Sequence, residues 1–255
     1  MTALFHDVIF GPVRSRRLGL SLGVNLLPTS AKLCNFNCIY CECGWSTPEK
    51  GKFNSREYVR RLLDGKLRGM AAAGECPDVI TFAGNGEPTT HPDFEAIIDD
   101  TLRLRDEVYP ASRVSVLSNA TMIGRESVRR ALLRVDNNIL KLDSAFDDTV
   151  RLIDDPRGGY SVAETVANMK LFEGQLTIQT MFLRGEYAGR RVDNTTAREV
   201  EAWLELVGQI APRQVMIYTI DRDTPAPNLE KVAVEELRAI AARVEALGIP
   251  VSVAG

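Results

Sequence analysis

"LCNFNCIYCECGW", residues 33–45, holds four of the chain's five cysteines. Cys34, Cys38 and Cys41 follow the spacing C-x3-C-x2-C, and Cys43 comes two residues later. Thiolates are soft ligands, suited to zinc, copper(I) or an iron–sulfur cluster. A structural zinc ion takes four ligands, usually as two pairs from separate knuckles. Cys43 is the nominal fourth, but one residue between Cys41 and Cys43 is awkward spacing for a single tetrahedral ion. A [4Fe–4S] cube has an iron at each of four corners, so three closely spaced thiolates can take one iron each. The fourth iron then stays open.

Outward from this segment, apolar patterns of two periods alternate. Short β-rich runs occur at 78–84 (DVITFAG), 113–119 (RVSVLSN), 138–144 (NILKLDS), 175–183 (QLTIQTMFL) and 214–220 (QVMIYTI). Helical spacing separates them: Val59, Leu62, Leu63, Leu67 and Met70 share a face, as do Phe94, Ile97, Ile98 and Leu102. Val200, Trp203, Leu204 and Val207 repeat the pattern, and so do Leu237, Ile240, Ala241 and Val244. Thr196 with Glu199 has the spacing of a capping box, and Pro92-Asp93 opens a helix. A strand at 21–27 (SLGVNLL), just before the cysteines, brings the count to six βα units, and PVSVAG closes the chain.

Strict alternation predicts a parallel sheet covered by helices, either an open doubly wound sheet or a curled, incomplete (β/α) barrel. In both, ligands bind at the carboxyl ends of the strands. Those ends carry the cysteines, then "GNGEP", then Ser118-Asn119, then Asp143.

Length and charge narrow the function. The 255 residues are enough for one large domain or two small ones, with a substantial core. A net charge of −3 argues against a protein wrapped wholesale around nucleic acid. No apolar run approaches the roughly 20 residues of a membrane helix. The start, MTALFHDVIF, lacks the basic and apolar regions of a secretory signal, so the expected location is cytoplasmic. In that reducing compartment clustered cysteines serve as ligands or catalysts rather than disulfides.

With Tyr40 just before its third cysteine, the C-x3-C-x2-C loop resembles the cluster loop of the radical S-adenosylmethionine (SAM) superfamily. AGNGEPTTHP, residues 83–92, resembles that family's glycine-rich loop after the second strand. Residues 10–25 (FGPVRSRRLGLSLGVN) and GNGEPT look closest to iron–sulfur oxidoreductases related to archaeal tRNA wyosine-base synthases. The resemblance covers nearly the whole chain and implies a single radical SAM domain over 1–255, built as a partial (β/α)6 barrel of parallel strands, with residues 1–20 over the active site. It implies a [4Fe–4S] cluster that reductively cleaves SAM, and a 5′-deoxyadenosyl radical that abstracts hydrogen from a substrate. An RNA nucleobase is one substrate; a small molecule or a protein is equally open. A flavodoxin or ferredoxin would supply the electron. The alternative is an activase that installs a glycyl radical on a partner enzyme. Activases often carry Asp-x-Lys on the fourth strand, where this chain reads Lys141-Leu142-Asp143. A zinc-stabilised binding module is the non-enzymatic alternative.

Carried over residue by residue, Cys34, Cys38 and Cys41 are the cluster ligands, and Tyr40 lies near the adenine. Gly84, Asn85, Gly86 and Glu87 face the methionine end of SAM. Ser118 and Asn119 meet its ribose or carboxylate, Asp143 accepts from ribose hydroxyls, and backbone at Ile217 and Tyr218 meets adenine. Wyosine-base synthases carry a second cluster with three further cysteines; only Cys43 and Cys76 are left over here.

Other residues have plainer readings. Cys43 is a bystander thiol or a partner of the cluster, Cys76 a packing residue, and His91 a helix-entry or loop residue. Lys141 meets either the SAM carboxylate or an acid inside the barrel. Arg184, Arg190 and Arg191 read as solvated surface. Val13–Arg17 suits a flexible segment near the cluster rim. There Arg16 and Arg17 would contact an anionic part of the substrate, or form a solvated basic patch.

Overall fold

Buried parallel strands are short continuous apolar runs, and the computed structural model has a set of them side by side. It describes residues 4–15, 18–47 and 51–255. In chain order the strands are β1 (Ile9–Ser15), β2 (Gly19–Val24), β3 (Val79–Phe82), β4 (Arg113–Ser118), β5 (Asn137–Lys141) and β6 (Thr177–Met181). They continue with β7 (Leu183–Tyr187), β8 (Arg190–Asp193), β9 (Gln214–Tyr218), β10 (Leu229–Lys231) and β11 (Val251–Ala254). The helices are α1 (Arg56–Ala72), α2 (Phe94–Val108), α3 (Glu126–Arg134), α4 (Asp147–Asp154), α5 (Val162–Lys170), α6 (Ala197–Ile210) and α7 (Val234–Glu245).

The main sheet has the order β1-β2-β3-β4-β5-β6-β9-β11, parallel throughout except for β1, which pairs antiparallel with β2. It curls into a half-barrel, with helices on the outside. Each helix lays its apolar stripe on the sheet: Val59, Leu63, Leu67 and Met70 of α1 are buried, as are Val200, Trp203, Leu204 and Val207 of α6. Ser55 caps α1 and Thr196 caps α6, each accepting from the backbone N–H three residues on.

Two features depart from expectation. Val13–Ser15, the described part of the segment expected to be flexible, belong to strand β1. Pro12 is tolerated because β1 is an edge strand whose register shifts between Phe10 and Val13. Ser15 pairs with Gly19 at the start of β2, the end opposite the cysteines. Arg16 and Arg17 lie outside the described residues. The second departure is a three-stranded antiparallel sheet, β10-β7-β8, grown out of the run expected to end at 183. Its β7–β8 turn puts both Ala188 and Gly189 at positive φ, +50° and +69°, the geometry of a tight hairpin.

Candidate active site

The cysteine loop leaves β2 at Val24 and crosses the carboxyl ends of the strands. Its backbone is tied on three sides. Leu33 N–H donates to the Asn85 carbonyl at 2.8 Å, and Glu87 N–H donates to the Leu33 carbonyl at 3.4 Å. Asn37 and Ile39 donate to the carbonyls of Asp154 and Ile153, both at 2.9 Å, satisfying acceptors that the C-terminal turn of α4 leaves open. Ala226 N–H donates to the Ile39 carbonyl at 3.1 Å. Phe36, Ile39 and Tyr40 pack with Ile153, Met181, Leu183, Val192 and Ala226, and Trp45 stacks on Tyr187 with ring centres 5.9 Å apart. The small sheet β10-β7-β8 therefore roofs the cysteine loop.

Gly84 and Gly86 have φ of +140° and +145°, backbone that residues with a β-carbon rarely adopt. A Cβ on Gly86 would stand 1.8 Å from the Leu33 carbonyl oxygen, and one on Gly84 would stand 2.5 Å from Asn25 Oδ1. Their lack of a side chain thus lets the glycine-rich loop lie against the cysteine loop and its approach.

The thiols stand in unlike surroundings. Cys38 is buried; Cys34, Cys41 and Cys43 are half-buried. Cys34 Sγ accepts from Phe36 N–H at 3.4 Å and from the Asn119 amide at 3.8 Å. Burial, with the Glu87 charge, pushes its thiol up to about 11. Burial, then Asp154, holds the Cys38 thiol well above the usual range. Cys41 is the opposite case: a hydrogen bond from the Cys43 thiol lowers it to about 5, against burial and with help from Lys32. The buried Lys32 ammonium donates to the Gly44 carbonyl at 2.8 Å and to Cys41. Cys43 Sγ also reaches the Gly84 carbonyl, at 3.3 Å.

Two buried polar knots support the loop. Glu87 Oε1 accepts from Thr89 N–H at 3.0 Å, from the Thr89 hydroxyl, and from the Ser118 hydroxyl at 2.9 Å; Oε2 accepts from Asn119 N–H at 2.6 Å. The Asn119 amide then donates to Asn35 Oδ1 at 2.7 Å, inside the cysteine loop. On the other side, Lys141 lies 3.1 Å from Asp143 and 3.6 Å from Asp154. Tyr40 donates its hydroxyl to Asp143 and accepts from Lys141. Asp143 Oδ1 accepts from Met181 N–H at 3.0 Å.

These contacts decide where each expected site residue stands. Cys34 lies beside Gly86 and the Asn119 amide, and Cys43 beside Gly84, whereas the Ser118 hydroxyl is buried, donating to Glu87 at 2.9 Å and accepting from Ala120 N–H at 3.0 Å rather than open to a ligand. Asn85 is fully buried and turned away, with its amide on the carbonyls of Phe5 and Pro28. The carboxylates of Glu87 and Asp143 and the hydroxyl of Tyr40 are engaged inside the protein. Ile217 lies in the core of β9, between β6 and β11, and the Tyr218 carbonyl accepts from Phe182 N–H at 2.9 Å. Lys141 is in the internal acid pair rather than open at the rim. His91 is buried, one ring nitrogen 2.8 Å from the Asn54 carbonyl and the other accepting from Asp93 N–H. Cys76 is exposed, not packed. Arg191 is a surface residue 2.8 Å from Asp193, and Arg184 pairs with Glu236. Sequence reasoning missed Lys32, Asn35 and Asp154. Only Lys32 offered a signal, a lone cation two residues before a thiol.

The donor set fits an iron–sulfur cluster. Among the described residues no three His, Cys, Asp or Glu side chains converge as ligands of one ion do. Three thiols on one loop can instead take separate irons, and the Lys32 ammonium is placed to offset their charge.

Comparison with known proteins agrees. The family model described as "Radical SAM superfamily" matches residues 30–191. A protein named GTPase Obg from Brachyspira hyodysenteriae is 28% identical over 233 residues, covering 90% of this chain and 32% of that protein. A UPF0026 protein of Methanocaldococcus jannaschii is 33% identical over 183 residues, covering 69% of this chain and 54% of that protein. The chain thus spans about a third and about half of these two relatives. A radical SAM methyltransferase from Sphaerobacter thermophilus has the same fold at a TM-score of 0.68 and 17% identity, over 92% of this chain and 65% of that one. Apart from GTPase Obg, the sequence relatives are UPF0026 proteins, not wyosine-base synthases specifically.

Proposed function

We propose a reaction from the premise that this chain belongs to the radical SAM superfamily: it is an iron–sulfur enzyme in which Cys34, Cys38 and Cys41 each hold one iron of a [4Fe–4S] cluster. The carrying observation is that all three stand on one loop at the carboxyl ends of the strands, its backbone tied to the glycine-rich loop and to α4. When bound, the cluster and SAM supply a 5′-deoxyadenosyl radical that takes hydrogen from substrate. The chain's residues hold and orient. Lys32 offsets thiolate charge. The Gly84 carbonyl, already facing a thiol, accepts from the methionine ammonium. Glu87 acts through others: it accepts from Ser118 and from Asn119 N–H, and so positions Asn119, whose amide reaches Cys34, toward the ribose or carboxylate of SAM. Tyr40 anchors the loop through Asp143 and Lys141. The small sheet over the loop excludes water. The finer reading, an RNA nucleobase as substrate, rests on residues 10–25 and 84–89 resembling the wyosine-base synthase group; a flavodoxin or ferredoxin would serve as reductant.

Anaerobic reconstitution tests the cluster. Iron and sulfide are expected at about four each per chain, as for one cube. Cys34→Ala, Cys38→Ala and Cys41→Ala are each expected to lose the cluster and the dithionite-driven cleavage of SAM to methionine and 5′-deoxyadenosine. About one zinc per chain without sulfide would mark a structural zinc site and overturn the proposal.

A further inference from the structure

Cys43 has no part in the proposed function, yet its thiol holds a particular place. It reaches the Gly84 carbonyl at 3.3 Å and follows Cys41 by two residues. Cys41 holds one corner of the cluster in that proposal, and the Gly84 carbonyl accepts from the methionine end of SAM. In that proposal the methionine amino group also binds the open iron, so a thiol at the Gly84 carbonyl would stand beside the open iron. The local backbone keeps it there. Gly44 N–H donates to the Cys41 carbonyl at 2.9 Å, Gly44 takes φ +76°, and Lys32 fixes the turn through the Gly44 carbonyl.

We propose that Cys43 is an exchangeable fourth ligand, holding the open iron of the cluster while SAM is absent and releasing it when SAM binds. This inference rests on the function proposed above. One residue between Cys41 and Cys43 is awkward for a single ion but acceptable for neighbouring corners of a cube. Lys32, a cation beside both thiols, offsets the added thiolate. The exchange balances without electron transfer. The iron–Cys43 bond breaks as the methionine amino and carboxylate groups bind. The ammonium sheds one proton to coordinate, and the departing thiolate takes one up. The benefit is a resting cluster with every iron ligated by the chain, protected from loss of its corner iron.

The test compares wild type, Cys43→Ala and Cys43→Ser after anaerobic reconstitution, with two readouts that need no turnover. The first is SAM affinity by equilibrium dialysis. If the competent, Cys43-free fraction is about a tenth, removing the thiol tightens the apparent dissociation constant about tenfold. The second is the rate at which measured ferricyanide, without SAM, produces the EPR signal of a [3Fe–4S] cluster; both variants are expected to be faster than wild type. Serine keeps a hydroxyl for the Gly84 carbonyl but has no thiolate, so it should follow alanine. If Cys43→Ser matches wild type, the hydrogen bond and not ligation is what matters, and the inference fails. Equal affinities and equal iron loss in all three proteins, each with its full iron content, also overturn it and leave the proposed function standing. Loss of the cluster in Cys43→Ala would make Cys43 a permanent ligand and overturn the exchange. A wild type that binds no cluster would overturn the function itself and this inference with it.

Discussion

Glu87 and Asp143 follow strands two apart in the same sheet, and both carboxylates are buried beneath the cysteine loop, each residue 2% exposed. They solve the problem of a buried charge differently. Glu87 is surrounded by neutral donors: two groups of Thr89, the Ser118 hydroxyl and the Asn119 N–H. Burial raises its pKa, and these hydrogen bonds pull it back. Asp143 instead shares the Lys141 ammonium with Asp154, and Tyr40 joins the group. Burial alone would lower the Lys141 pKa, but the two aspartates hold it well above the usual range. Burial also pushes Asp154 up to about 7, against the pull of Lys141. Neutral donors share the load, so each can be lost at modest cost. A knot built on one cation fails as a unit.

The sharpest way to break this contrast is Lys141→Met. It leaves two buried carboxylates uncompensated and should cost about 3–5 kcal/mol in urea unfolding of the cluster-free protein. Adding Asp143→Asn and Asp154→Asn should recover most of that loss, because the charges then disappear together. No recovery would mean that the knot acts by shape rather than by charge.

Next in size is Gly86→Ala, on the Glu87 side. The new Cβ would meet the Leu33 backbone and occupy a φ that disfavours it, at about 2–4 kcal/mol. Gly74 is a control with φ +71° and no atom within 4 Å of its virtual Cβ, where alanine should cost only about 1–2 kcal/mol. Equal losses at the two sites would show that the loops do not need their close approach. Because the clash falls on the residue before Cys34, Gly86→Ala should also lower iron content after reconstitution.

The smallest effect is expected from Ser118→Ala, which removes one of four donors to Glu87 and should cost about 1–3 kcal/mol. A loss as large as that of Lys141→Met would erase the distinction between the two knots.

Much of the architecture was legible. Runs such as VITF and TIQTM, buried at every position, read as parallel strands because both faces of that sheet are covered. β1 was hidden by Gly11-Pro12, a pair that argues against a strand anywhere but at an edge. The β7–β8 hairpin was hidden because Ala188 takes the left-handed conformation where asparagine or glycine is the usual signal. At the site, spacing singled out Cys34, Cys38 and Cys41. It could not say that Glu87 and Asp143 face inward, because a carboxylate after a strand reads alike whether it meets a ligand or the protein.

What the sequence determined by itself is therefore local: thiol spacing, glycines at a strand end, and the alternation of two hydrophobic periods. Each depends on neighbours along the chain, through the reach of a short loop, the lack of a Cβ, and the pitch of a helix or strand. Tertiary structure alone decided what those residues touch. Asp154 meets Lys141 because the end of α4 docks against the cysteine loop. Asn119 meets Cys34, and Cys43 meets Gly84, because β2, β3 and β4 lie side by side in the sheet and bring their carboxyl ends together. Such meetings join positions far apart in the chain, and they are set by packing and by the need to satisfy every buried charge, which no local pattern records.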